Sequence, residues 1–207
     1  MTNHITTVEQ LRELYRQPSE LVQRKKAASI GPQTAARITA SPFALLATAD
    51  AEGRCDVSPR GGPAGLIAVI DESTVALPDL GGNNLIDSLT NIVANPHAGL
   101  LVITPGDDET VRIEGAAELR TDDHILDLWE GMFRRPKVAV VISVTSVFIH
   151  CAKAFRRSDL WSPATWSSDA PDACSLLDEH LGGGLDLDAV RSGLDASYEA
   201  DLAEERP

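Results

Sequence analysis

Two stretches near the middle of the chain combine turn-forming, polar and cationic residues in a way that suits an anion. The first, 55–67, contains Ser58 and Arg60 among several glycines and prolines, and the second, 77–89, places a Gly-Gly-Asn-Asn run before a predicted helix. Arginine offers a planar fork of donors to phosphate oxygens, and the free N–H groups at the start of a helix point at a neighbouring anion. The two stretches therefore predict a phosphate-binding apparatus, which suits the tail of flavin mononucleotide (FMN).

Other catalytic and ligand-binding motifs are incomplete. The glycine-rich run at 61–65 is not followed by the Gly-Lys-Ser/Thr of a nucleotide P-loop, and Gly81 and Gly82 do not complete a dinucleotide fingerprint. The chain has no Gly-x-Ser-x-Gly elbow, which argues against a hydrolase. His150 and Cys151 are adjacent at the end of a predicted strand and would point to opposite faces, so no metal site is predicted.

The formal net charge of −13 is concentrated at the C-terminus. Residues 168–207 contain eleven acidic residues and two arginines, a net of −9, which leaves −4 on residues 1–167. Neither part has the basic stripe that binds nucleic acid or anionic lipid. No apolar stretch is long enough to span a bilayer, and the N-terminus lacks the order of a signal peptide. We therefore expect a soluble, cytoplasmic protein without nucleic-acid or membrane partners.

Hydrophobic periodicity predicts one core domain, residues 1–167, followed by an acidic helical tail, residues 168–207. The tail is expected to pack on the same domain or on a partner subunit. Helices are predicted near 8–15, 20–27, 32–40, 84–94 and 122–132, and strands near 43–48, 66–70, 74–77, 98–104, 110–119 and 138–149. Several antiparallel strands of this length favour a closed barrel.

Five short segments together carry a family resemblance: 56–61, 78–84, 87–88, 95–96 and 150–161. They resemble the pyridoxamine 5′-phosphate oxidase-like FMN-binding split-barrel proteins, and the resemblance covers most of residues 30–165. Within that family, the chain is most similar to a subgroup of FMN-dependent enzymes of similar length. The resemblance implies a mainly β fold with flanking helices (α+β), a six-stranded antiparallel split barrel. It also implies a homodimer that binds two FMN molecules in clefts between the subunits.

The resemblance assigns a first group of residues to the FMN phosphate. Arg60 would donate to the phosphate oxygens, and Ser58 and Ser88 would add hydroxyl groups. The backbone N–H groups near Asn83 and Asn84 would complete this part of the site.

A second group of residues follows the last predicted strand. Lys153 and Arg156 or Arg157 are candidates to reach the phosphate or the ring carbonyls, from the same subunit or the other one. Trp161 would lie beside the flavin or close the cleft, because its flat ring can cover an aromatic system. Leu85 departs from the family pattern, since related sequences often carry an arginine there.

The same residues also have structural interpretations, which the sequence leaves open. Arg60 suits an exposed turn beside Pro59, and Asn83 and Asn84 suit helix caps. Ser88 suits a solvated first helical turn, and the cations at 153–157 suit ion pairs with carboxylates such as that of Asp159.

The function predicted from the resemblance is that of an FMN-dependent oxidoreductase, which transfers hydride through flavin N5 to or from an unidentified small molecule. NADPH or NADH is a candidate electron donor. Because the cofactor carries the chemistry, no residue is assigned as a catalytic acid or base. The alternative is a non-enzymatic carrier or sensor that binds flavin or haem.

Overall fold

The structure, a computed structural model, describes residues 4–167 and 169–207. The structure has seven strands, and most of them are aliphatic and β-branched runs, since such side chains pack well on a pleated, half-buried surface. The strands are β1 (Phe43–Ala49), β2 (Cys55–Gly61), β3 (Ala68–Asp71), β4 (Thr74–Pro78), β5 (His97–Ile103), β6 (Thr110–Arg120) and β7 (Ala139–His150). They pair antiparallel in one sheet with the order β2-β1-β5-β6-β7-β4-β3.

Helices precede the first strand, connect some of the strands and follow the last one. They are α1 (Val8–Leu14), α2 (Glu20–Arg24), α3 (Pro32–Ala40), α4 (Asp87–Ala94), α5 (Asp123–Leu126), α6 (Lys153–Ser158), α7 (Ala173–His180) and α8 (Leu187–Glu204). Short 3₁₀ turns follow α5 at Asp127–Trp129 and precede the tail at Pro163–Thr165. The helix predicted for 122–132 is therefore shorter than expected, and α4 begins three residues later than predicted.

The segment 56–61, predicted to be a turn, is part of strand β2. It pairs with β1 in unbroken register from Phe43 opposite Gly61 to Ala49 opposite Cys55. Proline and glycine usually mark turns, but Pro59 is tolerated here because β2 is an edge strand and needs no second set of hydrogen bonds. The turn prediction was wrong because pairing with β1 outweighs the local turn signals.

The sheet curls so that strands from its two ends meet. Arg60 on β2 forms an ion pair with Asp79, which directly follows β4, at 2.9 Å from Nη1 to Oδ1. These strands lie first and sixth in the sheet order. The structure confirms the predicted class, an antiparallel split barrel with flanking helices, with seven strands where six were predicted.

The core has two parts. The main cluster fills the inside of the curled sheet and includes Ile38, Leu46, Leu100, Ile113 and Ile142. A smaller cluster surrounds Trp129, which is buried and donates from Nε1 to the Leu66 carbonyl oxygen at 3.0 Å.

The end of the acidic tail packs on the body of the same chain. The Arg134 N–H donates to the Glu205 carbonyl oxygen at 2.7 Å, and Arg134 Nη1 lies 3.8 Å from Glu204 Oε2. The division of the chain at residues 167 and 168 stays a prediction. Ser168, where the tail was predicted to begin, lies outside the described residues, as do residues 1–3 of the N-terminus.

None of the described helices has both the length and the apolar content needed to span a bilayer. Within the part of the chain that the structure describes, no three His, Cys, Asp or Glu side chains come together as metal ligands.

Candidate functional site

Strand β2 carries three polar residues on one face. Because side chains alternate along a strand, Asp56, Ser58 and Arg60 share the half-buried side of β2, while the intervening side chains face outward. The Arg60 side chain is only 18% exposed and the Asp79 carboxylate that it meets is 24% exposed. The interpretation of Arg60 as an exposed turn residue is therefore wrong.

One N–H donor of Arg60 has no hydrogen-bond partner among the described residues. Its Nη1 donates to Asp79 Oδ1, whereas its Nε is buried and has no hydrogen-bond partner among the described residues. A buried donor without a partner is unusual in a folded protein and costs free energy. An acceptor atom brought to this side of the guanidinium would remove that cost.

A pocket of about 220 Å³ lies beside Arg60. The residues that line it come mainly from β2, from the end of β4 and the loop after it, and from the C-terminal tail: Pro59, Arg60, Gly61, Leu66, Pro78, Leu80, Gly81, Leu202 and Glu205. Arg60 is the one cationic residue among the described residues that line it. The pocket thus forms where β2 approaches the end of β4, and it combines a cation with a glycine-rich loop.

Ser88 is buried in the first turn of α4, and its hydroxyl is already engaged. Ser88 Oγ donates to Asp56 Oδ2 at 2.5 Å. This contact attaches the start of α4 to β2, and two further side-chain contacts, from Asn91 and Asn95, attach the rest of the helix to β1. The interpretation of Ser88 as a solvated residue is wrong, and its predicted role at a phosphate is untested.

The loop between the pocket and α4 has an unusual backbone. Asn83 Oδ1 accepts from the Leu85 N–H at 3.0 Å, and both Asn84 and Ile86 have a positive φ, +59° and +53°. A β-branched residue such as Ile86 is strained at a positive φ, and backbone strain of this kind occurs most often at binding sites and switches. Ile86 itself occupies the N-cap position.

No described side chain caps the first turn of α4. The interpretation of Asn83 and Asn84 as helix caps is therefore wrong. The first N–H groups of a helix lack partners within the helix, so in the absence of a cap they can bind an anion.

The predicted basic group lies on α6. Arg156 Nε donates to Asp108 Oδ2 at 2.9 Å, and Arg157 Nε donates to the Lys153 carbonyl oxygen at 3.0 Å. Pairing of this group with a carboxylate was one of the sequence-based interpretations, although the partner of Arg156 is Asp108 and not Asp159. All three cationic side chains are exposed.

Trp161 is half-buried between α6 and the loop that connects β5 with β6. Its Nε1 donates to the Asp107 carbonyl oxygen at 2.9 Å. Its ring stacks on Phe155, with 5.7 Å between ring centroids and 28° between planes. Within one chain, these contacts give Trp161 a packing role.

The two predicted groups lie at opposite ends of β7. Asp79, which holds Arg60, donates its N–H to the Val138 carbonyl oxygen at 2.8 Å, just before β7 begins. Helix α6 starts shortly after β7 ends at His150. A strand rises about 3.3 Å per residue, so the twelve residues of β7 separate the groups by roughly 35 Å along the strand. The structure therefore does not bring Arg60 and Lys153 together within one chain.

Sequence reasoning missed Asp79 and the two tail residues of the pocket, Leu202 and Glu205. Asp79 carried a usable signal, because it is the one carboxylate between a predicted strand and the Gly-Gly run. The approach of Glu205 depends on how the tail folds back, which no local pattern reports.

Comparison with known proteins gives one family and several distant structures. Residues 30–151, more than half of the chain, match the model of the family described as pyridoxamine 5′-phosphate oxidase. HupZ from Group A Streptococcus is 20% identical, with 58% of this chain and 93% of that chain covered and a TM-score of 0.48.

Two other solved structures are similar at a lower level. An FMN-binding protein from Syntrophomonas wolfei subsp. wolfei is 16% identical, with 69% of this chain and 92% of that chain covered and a TM-score of 0.40. HutZ, the haem storage protein from Vibrio cholerae, is 15% identical, with 58% of this chain and 94% of that chain covered and a TM-score of 0.41. No curated protein matches the sequence.

Proposed function

Because the chain belongs to the pyridoxamine 5′-phosphate oxidase family, we propose that it binds FMN and acts as an FMN-dependent oxidoreductase on a small molecule. The observation that carries the proposal is the guanidinium of Arg60, which is fixed beside a pocket and whose Nε has no partner among the described residues. The proposal keeps the sequence-based expectations of a cytoplasmic homodimer with NADPH or NADH as the candidate electron donor.

The residues around Arg60 fit a phosphate ester. The Asp79 carboxylate orients the guanidinium from one side, so the remaining N–H groups are held ready for phosphate oxygens. The uncapped start of α4 offers further backbone N–H groups, and the Ser88–Asp56 contact places it on β2 four residues before Arg60, roughly 13 Å along the strand. Arg60 and Asp79 together are neutral, so a dianionic phosphate needs further cations.

A second copy of the chain is the proposed source of those cations. Lys153, Arg156 and Arg157 lie too far along β7 to reach the Arg60 pocket of their own chain. Placed across a subunit interface, they would supply the missing positive charge, and Trp161 would sit near the ring. This arrangement requires a dimer.

The protein's part in the reaction is to bind FMN and to keep water out of the cleft. FMN, when bound, supplies hydride transfer through its N5 atom. Arg60, the α4 amides and the cations of α6 would bind and orient the phosphate end, and Trp161 would exclude water from the cleft. No described side chain is assigned as a proton donor or acceptor.

Visible absorption of the freshly purified protein, followed by FMN titration, tests the proposal. Flavin bands or saturable FMN binding would support FMN binding. Bleaching of the bound flavin by NADPH or NADH without oxygen, followed by its reoxidation with an acceptor, would support an enzyme. Bound flavin that is never turned over would favour the alternative, a carrier or sensor. A Soret band would favour a haem-binding protein, and a colourless protein that binds neither ligand would contradict both.

A further inference from the structure

The last turn of α8 ends at the pocket that Arg60 lines. Leu202 and Glu205 line this pocket together with residues 59–61 of β2. The backbone of Glu205 is fixed by the hydrogen bond from the Arg134 N–H at 2.7 Å. The tail therefore has a defined position at the pocket.

The Glu205 carboxylate lies close to the glycine-rich side of the pocket. A Cβ atom built on Gly81 would be 3.0 Å from Glu205 Oε1, so the glycine leaves room for this carboxylate. Glu205 is half-buried, whereas Glu204 before it is exposed. An anion of the protein itself thus shares a pocket whose one described cation is Arg60.

Few buried contacts oppose displacement of the tail. Helix α8 has no buried residue among its eighteen, and its ion pair between Arg134 and Glu204 is exposed on both sides, at 71% and 77%. Exposed pairs of this kind contribute little to stability. A ligand that binds better to the open pocket than to the covered one would shift the tail away.

We propose that Glu205 is an internal anion that competes with a phosphorylated ligand for the Arg60 pocket. Ligand binding then requires the last turn of α8 to leave, so the tail sets the affinity of the site. This inference rests on the proposed function in that it takes the pocket to be a phosphate site. The competitor is the Glu205 carboxylate.

The test compares full-length wild type with Glu205→Gln and the control Glu199→Gln, which removes the same charge from an exposed position of α8 outside the pocket. Binding of inorganic phosphate is measured by calorimetry and binding of FMN by fluorescence quenching. Removing a charge near the ligand should tighten binding of both probes in Glu205→Gln by about tenfold, whereas Glu199→Gln should stay within about twofold of wild type. Phosphate should also speed hydrogen exchange of the Arg134 N–H in wild type, because its acceptor on Glu205 leaves.

The outcomes separate this inference from the FMN proposal. If phosphate binds more tightly to Glu205→Gln than to Glu199→Gln while no variant binds FMN, the tail competes for the pocket and the FMN proposal fails. Equal phosphate and FMN affinities in the two variants would overturn the competition, even if FMN binds all of them. Absence of phosphate binding in every variant would also overturn it, because the pocket would not be an anion site.

Discussion

Arg60 combines two properties that are seldom found in the same side chain. It is fixed by an ion pair with Asp79, and its Nε remains buried without a partner among the described residues. Most buried donors in folded proteins have a partner. The proposed phosphate would supply an acceptor for this one.

Replacing Arg60 with Met should weaken FMN binding. Methionine keeps an unbranched apolar side chain but loses the charge-assisted donors, which are worth about 1.5–3 kcal/mol, or roughly 10- to 150-fold in Kd. The control is Arg54→Met, which removes an exposed cation from the turn before β2. Fluorescence titration with FMN measures both, and equal affinity in the two variants would show that Arg60 does not contact the ligand.

Leu85 is exposed between the two left-handed residues of the loop before α4. Replacing it with Arg places a cation beside the uncapped helix start, and one new charge-assisted contact should tighten FMN binding by about 1 kcal/mol or somewhat more. Leu128→Arg, at an exposed leucine in the 3₁₀ turn after α5, serves as control. A gain in both variants, or in neither, would show that the loop does not adjoin the phosphate.

Individual site residues were recognisable in the sequence where they break a local pattern. Arg60 is a cation inside a glycine- and proline-rich stretch, and the Asn-Asn pair precedes a helical periodicity. Their partners were not recognisable, because Asp79 reaches Arg60 only through the curl of the sheet and Glu205 only through the return of the tail. Long-range contacts of this kind leave no local signal.

At the level of elements, strand β6 depends on one glycine. A register shift between Glu114 and Gly115 interrupts the pairing of β6 with β7. A Cβ atom at Gly115 would lie only 2.1 Å from the Ser143 carbonyl oxygen, which is closer than any real contact. The two longest strands of the sheet approach each other closely at this point.

Gly115→Ala should therefore destabilise the protein by about 2–3 kcal/mol, because the added methyl group forces the backbones apart. Gly99→Ala is the matched control, since the nearest atom to its added Cβ, the Ile113 carbonyl oxygen, is at 3.8 Å. Urea unfolding measures both variants against wild type. Equal losses of stability would mean that β6 and β7 have more room at the bulge than described.

The contact between α7 and α8 should depend on pH. Asp172 caps α7 and accepts from Arg191 Nη2 at 2.5 Å, and the hydrogen bonds from Arg191 and then Ser175 hold the pKa of Asp172 well below its usual range. Because the folded pKa is lower than the unfolded value of about 3.9, the stabilisation is complete above that pH and is lost as pH falls through the folded pKa.

Arg191→Met removes the main cause of that shift. The variant should melt below wild type at neutral pH, and the difference should shrink as the pH is lowered below about 4. Thermal unfolding followed by circular dichroism gives the difference at each pH. A difference that stays constant across this range would mean that the ion pair does not couple to stability.

Elements were predicted best where periodicity is long. Strands β5, β6 and β7 follow the aliphatic pattern closely, and the curled antiparallel sheet follows from them. Strand β2 was read as a turn because Pro59 and the glycines are strong local turn signals. Pairing with β1 decided its conformation, and only the position of β2 at the sheet edge makes its proline acceptable.

On the scale of the whole molecule, one chain holds two halves of a proposed site that do not meet. The Arg60 pocket lies near the start of β7, and the cations of α6 follow its end. A homodimer with a two-fold axis can place the second half of one chain against the first half of the other. The proposed FMN site therefore requires residues from both subunits.

Mixing two defective variants tests that division directly. One carries Arg60→Met, and the other carries Lys153→Met, Arg156→Met and Arg157→Met, so that neither homodimer retains a complete site. In a mixed dimer, one cleft receives the intact Arg60 of one chain and the intact α6 of the other. Random exchange of equal amounts should then restore about a quarter of the wild-type FMN-binding capacity. A mixture that binds no more FMN than its two components do separately would contradict the proposed site.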